Sequence, residues 1–290
     1  MTTNKIENAT KLGRLFMVAT PIGNLQDVSN RCIETLSTVK IIGCENINRT
    51  KILLDSLNIS YRDTNFIALN DPREHIAIPR IVDNLYQGND VACVSDAGTP
   101  LVSDPGFELI RRAHKLRFQI IPIPGPSSVT TLLSVCPIPT NEFKFVGYLP
   151  RKSQARKRRL FELSNAQVPS VFFEVPQRIV SSLEIMLELD LLERSIFVGR
   201  ELTKCFEELL WGTVAEVYHT LKNRDTIKGE FVAVLDGSVP EPPDIVADSL
   251  IEQLLPHLKN SEISRIVSKV THGDRKQIYR RIVSIREQKC

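Results

Sequence analysis

The chain has 290 residues, 42% of them hydrophobic and 24% charged, a balance that fits two ordinary folded domains and excludes disorder as the starting point. Its 37 basic and 34 acidic residues leave a net charge of +3, too near balance to imply a polyanionic partner, so local clusters must carry any such argument. The cysteines (Cys32, Cys44, Cys93, Cys136, Cys205, Cys290) form no C-x-x-C pair and have no histidines at zinc-ligand spacing. They read as reduced packing thiols of a cytosolic protein, and no metal is expected. The opening MTTNKIENATK lacks the apolar core of a secretory signal, so export is not expected. Phe118 to Asn141 carries no charge and is long enough to span a bilayer, but Pro122, Pro124, Pro126, Pro137 and Pro139 would break any single helix there.

From Leu15 onward, short β-branched runs alternate with amphipathic stretches, the pattern of βαβ units and a mostly parallel sheet. Strands are expected at Leu15 to Ala19, Lys40 to Cys44, Phe66 to Leu69, Asp90 to Ser95 and Phe118 to Pro122. Crossover helices are expected near Ser29 to Leu36, with Ser29 as N-cap, and near Arg49 to Leu57, Glu74 to Tyr86 and Gly106 to His114, the third interrupted by Pro79. Pro150 and the basic run after it mark a boundary between a domain over 14–149 and a second over 150–237, with an N-terminal arm over 1–13. In the second domain, strands are expected at Ser170 to Phe173, Ser195 to Gly199, Cys205 to Trp211 and Gly229 to Leu235, with helices near Arg178 to Leu189 and Val214 to Leu221. Its last two strands lack a long helix between them, which points to a mixed sheet. A proline-rich linker, SVPEPPD, opens the last region, 238–290, which reads as two or three short helices.

Three turns rich in small residues follow strands: LFMVATPIGNLQD at 15 to 27, VSDAGTPLVSDPG at 94 to 106, and PIPGPSS at 122 to 128. Such turns after neighbouring parallel strands line one sheet edge, where a small cofactor binds, and Ala97, Gly98 and Thr99 would admit a ligand close to the backbone. Asp104 and Pro105 suit the N-cap and first turn of the next helix. Neither G-x-G-x-x-G nor a P-loop is present, which disfavours dinucleotides and nucleoside triphosphates. Glu45, Glu174, Glu201 and Lys204 lie in polar segments beside predicted strands and are the candidates for acid, base or cationic work, against the ordinary alternative of structural salt bridges. The run Arg151 to Arg159 contains Arg151, Lys152, Arg156, Lys157, Arg158 and Arg159 and no acid. That density suits phosphate contacts or a solvated helix face, and the eight basic residues between Ile263 and Cys290 add weight to RNA.

These segments, together with FVGYLPRKSQARKRR at 145 to 159, FFEVPQR at 172 to 178, GRELTKCFEE at 199 to 208 and KGEFVAVLDG at 228 to 237, resemble the ribosomal RNA small subunit methyltransferase I family of the tetrapyrrole methylase superfamily. The resemblance spans nearly the whole chain. It implies two α/β domains with a helical C-terminal extension and S-adenosylmethionine held in the cleft between the domains. It further implies a homodimer in the cytoplasm that 2'-O-methylates a cytidine in the decoding region of small-subunit ribosomal RNA. By motif position, the cofactor loop falls on Asp96, Ala97, Gly98, Thr99 and Pro100, with Ser127 and Ser128 beside it and Phe231 entering from the second domain.

Three runs depart from the family pattern. Glu45 to Thr50 reads E-N-I-N-R-T where E-D-T-R-x-T is usual, Asn70 to Glu74 stands at a histidine-rich run, and Glu174 to Arg178 reads E-V-P-Q-R in place of E-S-P-H-R. They keep open the reading of a catalytically weak RNA-binding assembly factor, and the superfamily resemblance leaves a second alternative, a C-methyltransferase of tetrapyrroles. The basic clusters weigh against the second.

Overall fold

The computed structural model describes residues 11–70, 73–237, 243–271 and 273–288. The chain divides into two compact units, Met1–Asp236 and Gly237–Cys290.

The first unit opens with β1 (Leu15–Val18), α1 (Asn30–Thr38), β2 (Ile41–Cys44), α2 (Ile47–Ser56), β3 (Asn65–Ala68), α3 (Glu74–Tyr86), β4 (Val91–Val94), α4 (Phe107–Lys115) and β5 (Ile120–Ile123). The strands form a fully parallel sheet in the order β3-β2-β4-β1-β5. One face carries α3 and α4 through Ile81, Leu85 and Leu109, and the other carries α1 and α2 through Leu36 and Leu54. Strands covered on both faces must be apolar throughout, as β2 and β4 are. The Ser29 side chain accepts a hydrogen bond from the Cys32 N–H at the start of α1, as expected of an N-cap. Pro79 sits inside α3 without breaking it, because Ala77, Ile78, Ile81, Val82 and Leu85 bury one face of the helix against the sheet.

After α5 (Ser128–Leu133) come β6 (Lys144–Tyr148), α6 (Ser153–Ser164), β7 (Ser170–Glu174), α7 (Ile179–Glu188), β8 (Ser195–Arg200), β9 (Glu208–Thr213), α8 (Val214–Lys222) and β10 (Phe231–Leu235). The second sheet has the order β6-β7-β10-β8-β9 and is mixed, with only β6 and β7 parallel. The change from one sheet to the other falls between α5 and β6. β6 therefore pairs with the second sheet although it precedes the boundary read at Pro150. The strand expected from Cys205 begins at Glu208 instead: Glu201 and Thr203 adopt left-handed backbone at φ 51° and 67°, and the turn they make delays it. α6, α7 and α8 cover one face of this sheet, while Val129 and Leu132 of α5 and Ile22 from the loop after β1 pack on the other.

The second unit contains α9 (Pro243–Leu254), α10 (Asn260–Thr271) and α11 (Arg275–Gln288), wrapped around Ile251, Ile263, Val267, Ile278 and Ile282. Most of the linker before it, Cys290 and His272 lie outside the described residues. Cys32, Cys44 and Cys93 are buried, whereas Cys205 is exposed. Among the described residues, no helix is long and apolar enough to cross a membrane.

Candidate functional site

In the first sheet the chain winds outward from β1 through β2 to β3, then returns through β4 to β5. The crossovers leaving the adjacent strands β2 and β4 therefore run in opposite directions, and their loops part at the carboxyl edge, where open α/β sheets bind ligands. A cavity of about 250 Å³ opens there, near the lower bound of small-molecule pockets. Its first wall is made by Glu45 and Arg49 after β2, by Asp96, Ala97, Gly98 and Thr99 after β4, and by Ser127 and Ser128 after β5. The facing wall comes from the second sheet, through Tyr148, Phe173, Lys204, Glu230 and Phe231. Seven of the eight cofactor candidates thus meet around one space, and Pro100 lies in the same loop but not on the wall.

The loop after β4 is pinned at its apex. Thr20 and Gly98 exchange backbone hydrogen bonds of 2.9 and 3.0 Å, and the Thr99 hydroxyl donates to the Pro126 carbonyl at 3.2 Å. Gly98 has φ +84°, and a Cβ there would meet Ile22 Cγ2 at 3.2 Å. Leu101 and Ser103 hold left-handed backbone at 71° and 70°, uncommon for residues with side chains and typical of loops over-determined by a functional site. The expected N-cap at Asp104 is not formed: Gly106 starts α4, without a side-chain cap, and the Asp104 side chain joins the pocket wall.

Charge in the pocket is organised in pairs. Arg49 donates to Asp96 Oδ2 at 3.0 Å, while Asp96 Oδ1 is buried with no hydrogen-bond partner. Lys204 Nζ donates to Glu201 Oε1 at 2.8 Å and to Glu230 Oε2 at 3.0 Å. Burial alone would pull the Lys204 ammonium down, but the hydrogen bonds it donates to both carboxylates outweigh it and hold the group above its ordinary value. Lys204 is thus a standing cation rather than a base. Its stem crosses Gly23 so closely that a Cβ there would lie 2.3 Å from Lys204 Cγ.

Two further expectations are corrected. Glu174 is not a pocket group: its side chain is 0% exposed, and it accepts from Arg178, from the Ser182 hydroxyl at 2.7 Å and from the Val175 N–H at 2.9 Å. With both oxygens engaged, the carboxylate anchors the start of α7 and lies off the cavity wall. Glu201 braces Lys204 and accepts from the Glu230 N–H at 2.9 Å, again outside the pocket wall. Of the four catalytic candidates, only Glu45 and Lys204 face the cavity. Arg49, Asp104, Tyr148 and Glu230 were missed, although Glu230 directly precedes Phe231 and Asp104 lies in the second small-residue turn.

The basic run spans the two residues before α6 and the first half of that helix. Arg151, Lys152 and Arg158 are exposed, while Lys157 and Arg159 make surface pairs with Glu188 and Glu162, both at 2.7 Å. Arg156 is corrected: it is buried, and its guanidinium donates to the carbonyls of Pro150 and Arg151 and to the Ser181 hydroxyl, which removes it from any surface. Asn46, at the altered run after β2, caps α2 by accepting from the Asn48 and Arg49 N–H groups.

Residues 14–218 match the family described as Tetrapyrrole (Corrin/Porphyrin) Methylases. A protein of Mesorhizobium japonicum named ribosomal RNA small subunit methyltransferase I is 38% identical over 94% of this chain and 92% of its own length. One of that name from Vibrio cholerae is 40% identical over 82% of this chain and 81% of its own. Among solved structures, the methyltransferase CobJ aligns with TM-score 0.58 at 14% identity, covering 79% of this chain and 96% of that one. Uroporphyrin-III C-methyltransferase from Thermus thermophilus complexed with S-adenosyl homocysteine aligns with TM-score 0.54, also at 14% identity, over 77% and 97%. By its fold and by its likeness along nearly its full length, the chain belongs to the ribosomal RNA small subunit methyltransferase I family, within the tetrapyrrole methylases.

Proposed function

We propose that the protein transfers a methyl group from S-adenosylmethionine to a ribose 2'-hydroxyl of a cytidine in small-subunit ribosomal RNA, acting as a cytoplasmic homodimer. The observation that carries the reading is the pocket at the parting of the β2 and β4 loops. It holds the whole small-residue loop Asp96 to Thr99, in a chain whose relatives by name methylate ribosomal RNA.

The pocket's chemistry fits the donor. Glu45, Asp96, Asp104 and Glu230 face only Arg49 and Lys204, an excess of acid that suits a cationic ligand. The buried Asp96 Oδ1 is an acceptor awaiting a donor. Backbone at Ala97 and Gly98, the Ser127 and Ser128 hydroxyls and the Phe231 ring would hold the bound group. Bound there, the donor supplies an electrophilic methyl on sulfur. The protein's part is to place a hydroxyl in line with that methyl and to exclude water, and positioning alone can account for much of the rate.

RNA binding is supported by α6. Its first turn carries no acid and its N-cap is Lys152, so cations stack on the end where the helix dipole is already positive. That arrangement opposes helix stability and favours phosphate. Replacing Arg151, Lys152 and Arg158 together with alanine is expected to weaken binding to small ribosomal subunits and flatten the slope of log K against log salt by roughly 2 to 3. Arg156→Ala is expected to lower thermal stability instead. An unchanged salt slope in the triple variant would remove this surface from the interface.

Labelled methyl transfer from S-adenosylmethionine to small ribosomal subunits, followed by alkaline hydrolysis, tests the activity. Label in a hydrolysis-resistant dinucleotide is the expected result. Binding of cofactor and subunit with no transfer would overturn it in favour of an assembly factor.

A further inference from the structure

A carboxyl pair sits where the two diverging loops meet. Asp104 and Glu45, from the loop after β2, both line the cavity, and Asp104 lies close enough to Glu45 and to Ser95, at the end of β4, for both to act on its carboxyl. Two carboxyls side by side repel each other when both are ionised. Burial pushes the Asp104 carboxyl up to about 6 and nearby Asp96 adds to the rise, while the hydrogen bonds to Ser95 and Glu45 oppose it. This brings the group toward the pH at which a general base works. An aspartate in an S-D-P-G turn before a helix ordinarily caps that helix. Here Gly106 takes that position and the carboxyl faces the cavity instead.

The other charged groups of the pocket have other tasks. Asp96 holds Arg49, Glu230 holds Lys204, and Lys204 stays protonated. Burial, with help from the charges of Glu230, Asp104 and Glu174 and against that of Arg178, pushes the Tyr148 phenol up and keeps it neutral. We propose that Asp104, braced by Glu45, is the general base that takes the proton from the ribose hydroxyl, an inference that rests on the methyl-transfer reading above. As the O–H bond breaks, its proton passes to the Asp104 carboxylate. The oxygen electron pair forms the bond to the methyl carbon of the sulfonium donor, and the carbon–sulfur pair stays on sulfur, leaving a neutral thioether.

Asp104→Asn is expected to slow single-turnover methyl transfer at saturating donor by about 100-fold and to abolish the acid limb of the pH–rate profile, with calorimetric affinity for S-adenosylhomocysteine, which lacks the sulfonium charge, within about three-fold of wild type. Glu45→Gln, whose amide would donate to the Asp104 carboxylate, is expected to move that limb to lower pH. A second readout needs no ligand. Because the folded carboxyl has its value raised from 3.8 to about 6, the folded state binds more protons between those limits, and the charge costs stability fully only above them. Asp104→Asn should therefore melt higher than wild type at pH 7.5, and the difference should vanish below about pH 4. Transfer by Asp104→Asn within about five-fold of wild type with the limb intact would overturn the proposal, as would a lower melting temperature at pH 7.5. Wild type that transfers no methyl would instead defeat the methyl-transfer reading and this inference with it, while the melting comparison would still report on the carboxyl pair.

Discussion

Glu174→Ala is expected to destabilise the first unit by about 3–5 kcal/mol, because it leaves the Arg178 guanidinium without its buried carboxylate and strands the Ser182 hydroxyl. For a unit of this size that is a fall of about 10 °C in melting temperature. Denaturant titration of wild type and variant, each with its cofactor affinity, is the check. The affinity is expected to change little, because Glu174 lies behind the sheet wall and not in the cavity. A variant as stable as wild type but unable to transfer methyl would restore the residue to the chemistry.

Gly98→Val should act on the opposite side of that distinction, raising the dissociation constant for S-adenosylhomocysteine by about 100-fold, or roughly 2.7 kcal/mol. Valine is strained at φ +84°, and its Cβ would press on Ile22 at the point where the loop is clasped to Thr20. Easing that strain would open the clasp and move the Asp96 and Thr99 side chains off the pocket wall. Calorimetric titration, with circular dichroism to confirm intact secondary structure, measures it. Affinity within about three-fold of wild type would show that the loop's shape is not what binds.

The first sheet was legible because its strands are covered on both faces: unbroken apolar runs flanked by small-residue turns have few other readings, and the expected strands fall within about two residues of those observed. The loop lining was legible for the same reason, since a turn after a parallel strand has one edge to occupy. What depends on pairing was not. β6 belongs to the second sheet because it pairs with β7, and nothing local to Lys144–Tyr148 announces that partner. Glu174 and Arg156 looked like working charges because sequence does not separate a buried ion from an exposed one. Asp104 was taken for a cap because its meeting with Glu45 exists only once the crossovers after β2 and β4 have diverged.

The place of β10 in the second sheet bears on how the protein is made. It is the central strand of that sheet and the last of its strands in the chain, flanked by β7 and β8, and it brings Phe231 and Val232 to the cavity. During synthesis the first sheet has all its strands once Ile123 has emerged. The second has a gap at its middle until Leu235 emerges, and the far wall of the cavity lacks its central strand before then. A nascent chain halted between Ser128 and Phe231 therefore holds the complete proposed cofactor loop and no closed pocket, so on that reading the ability to bind arrives late.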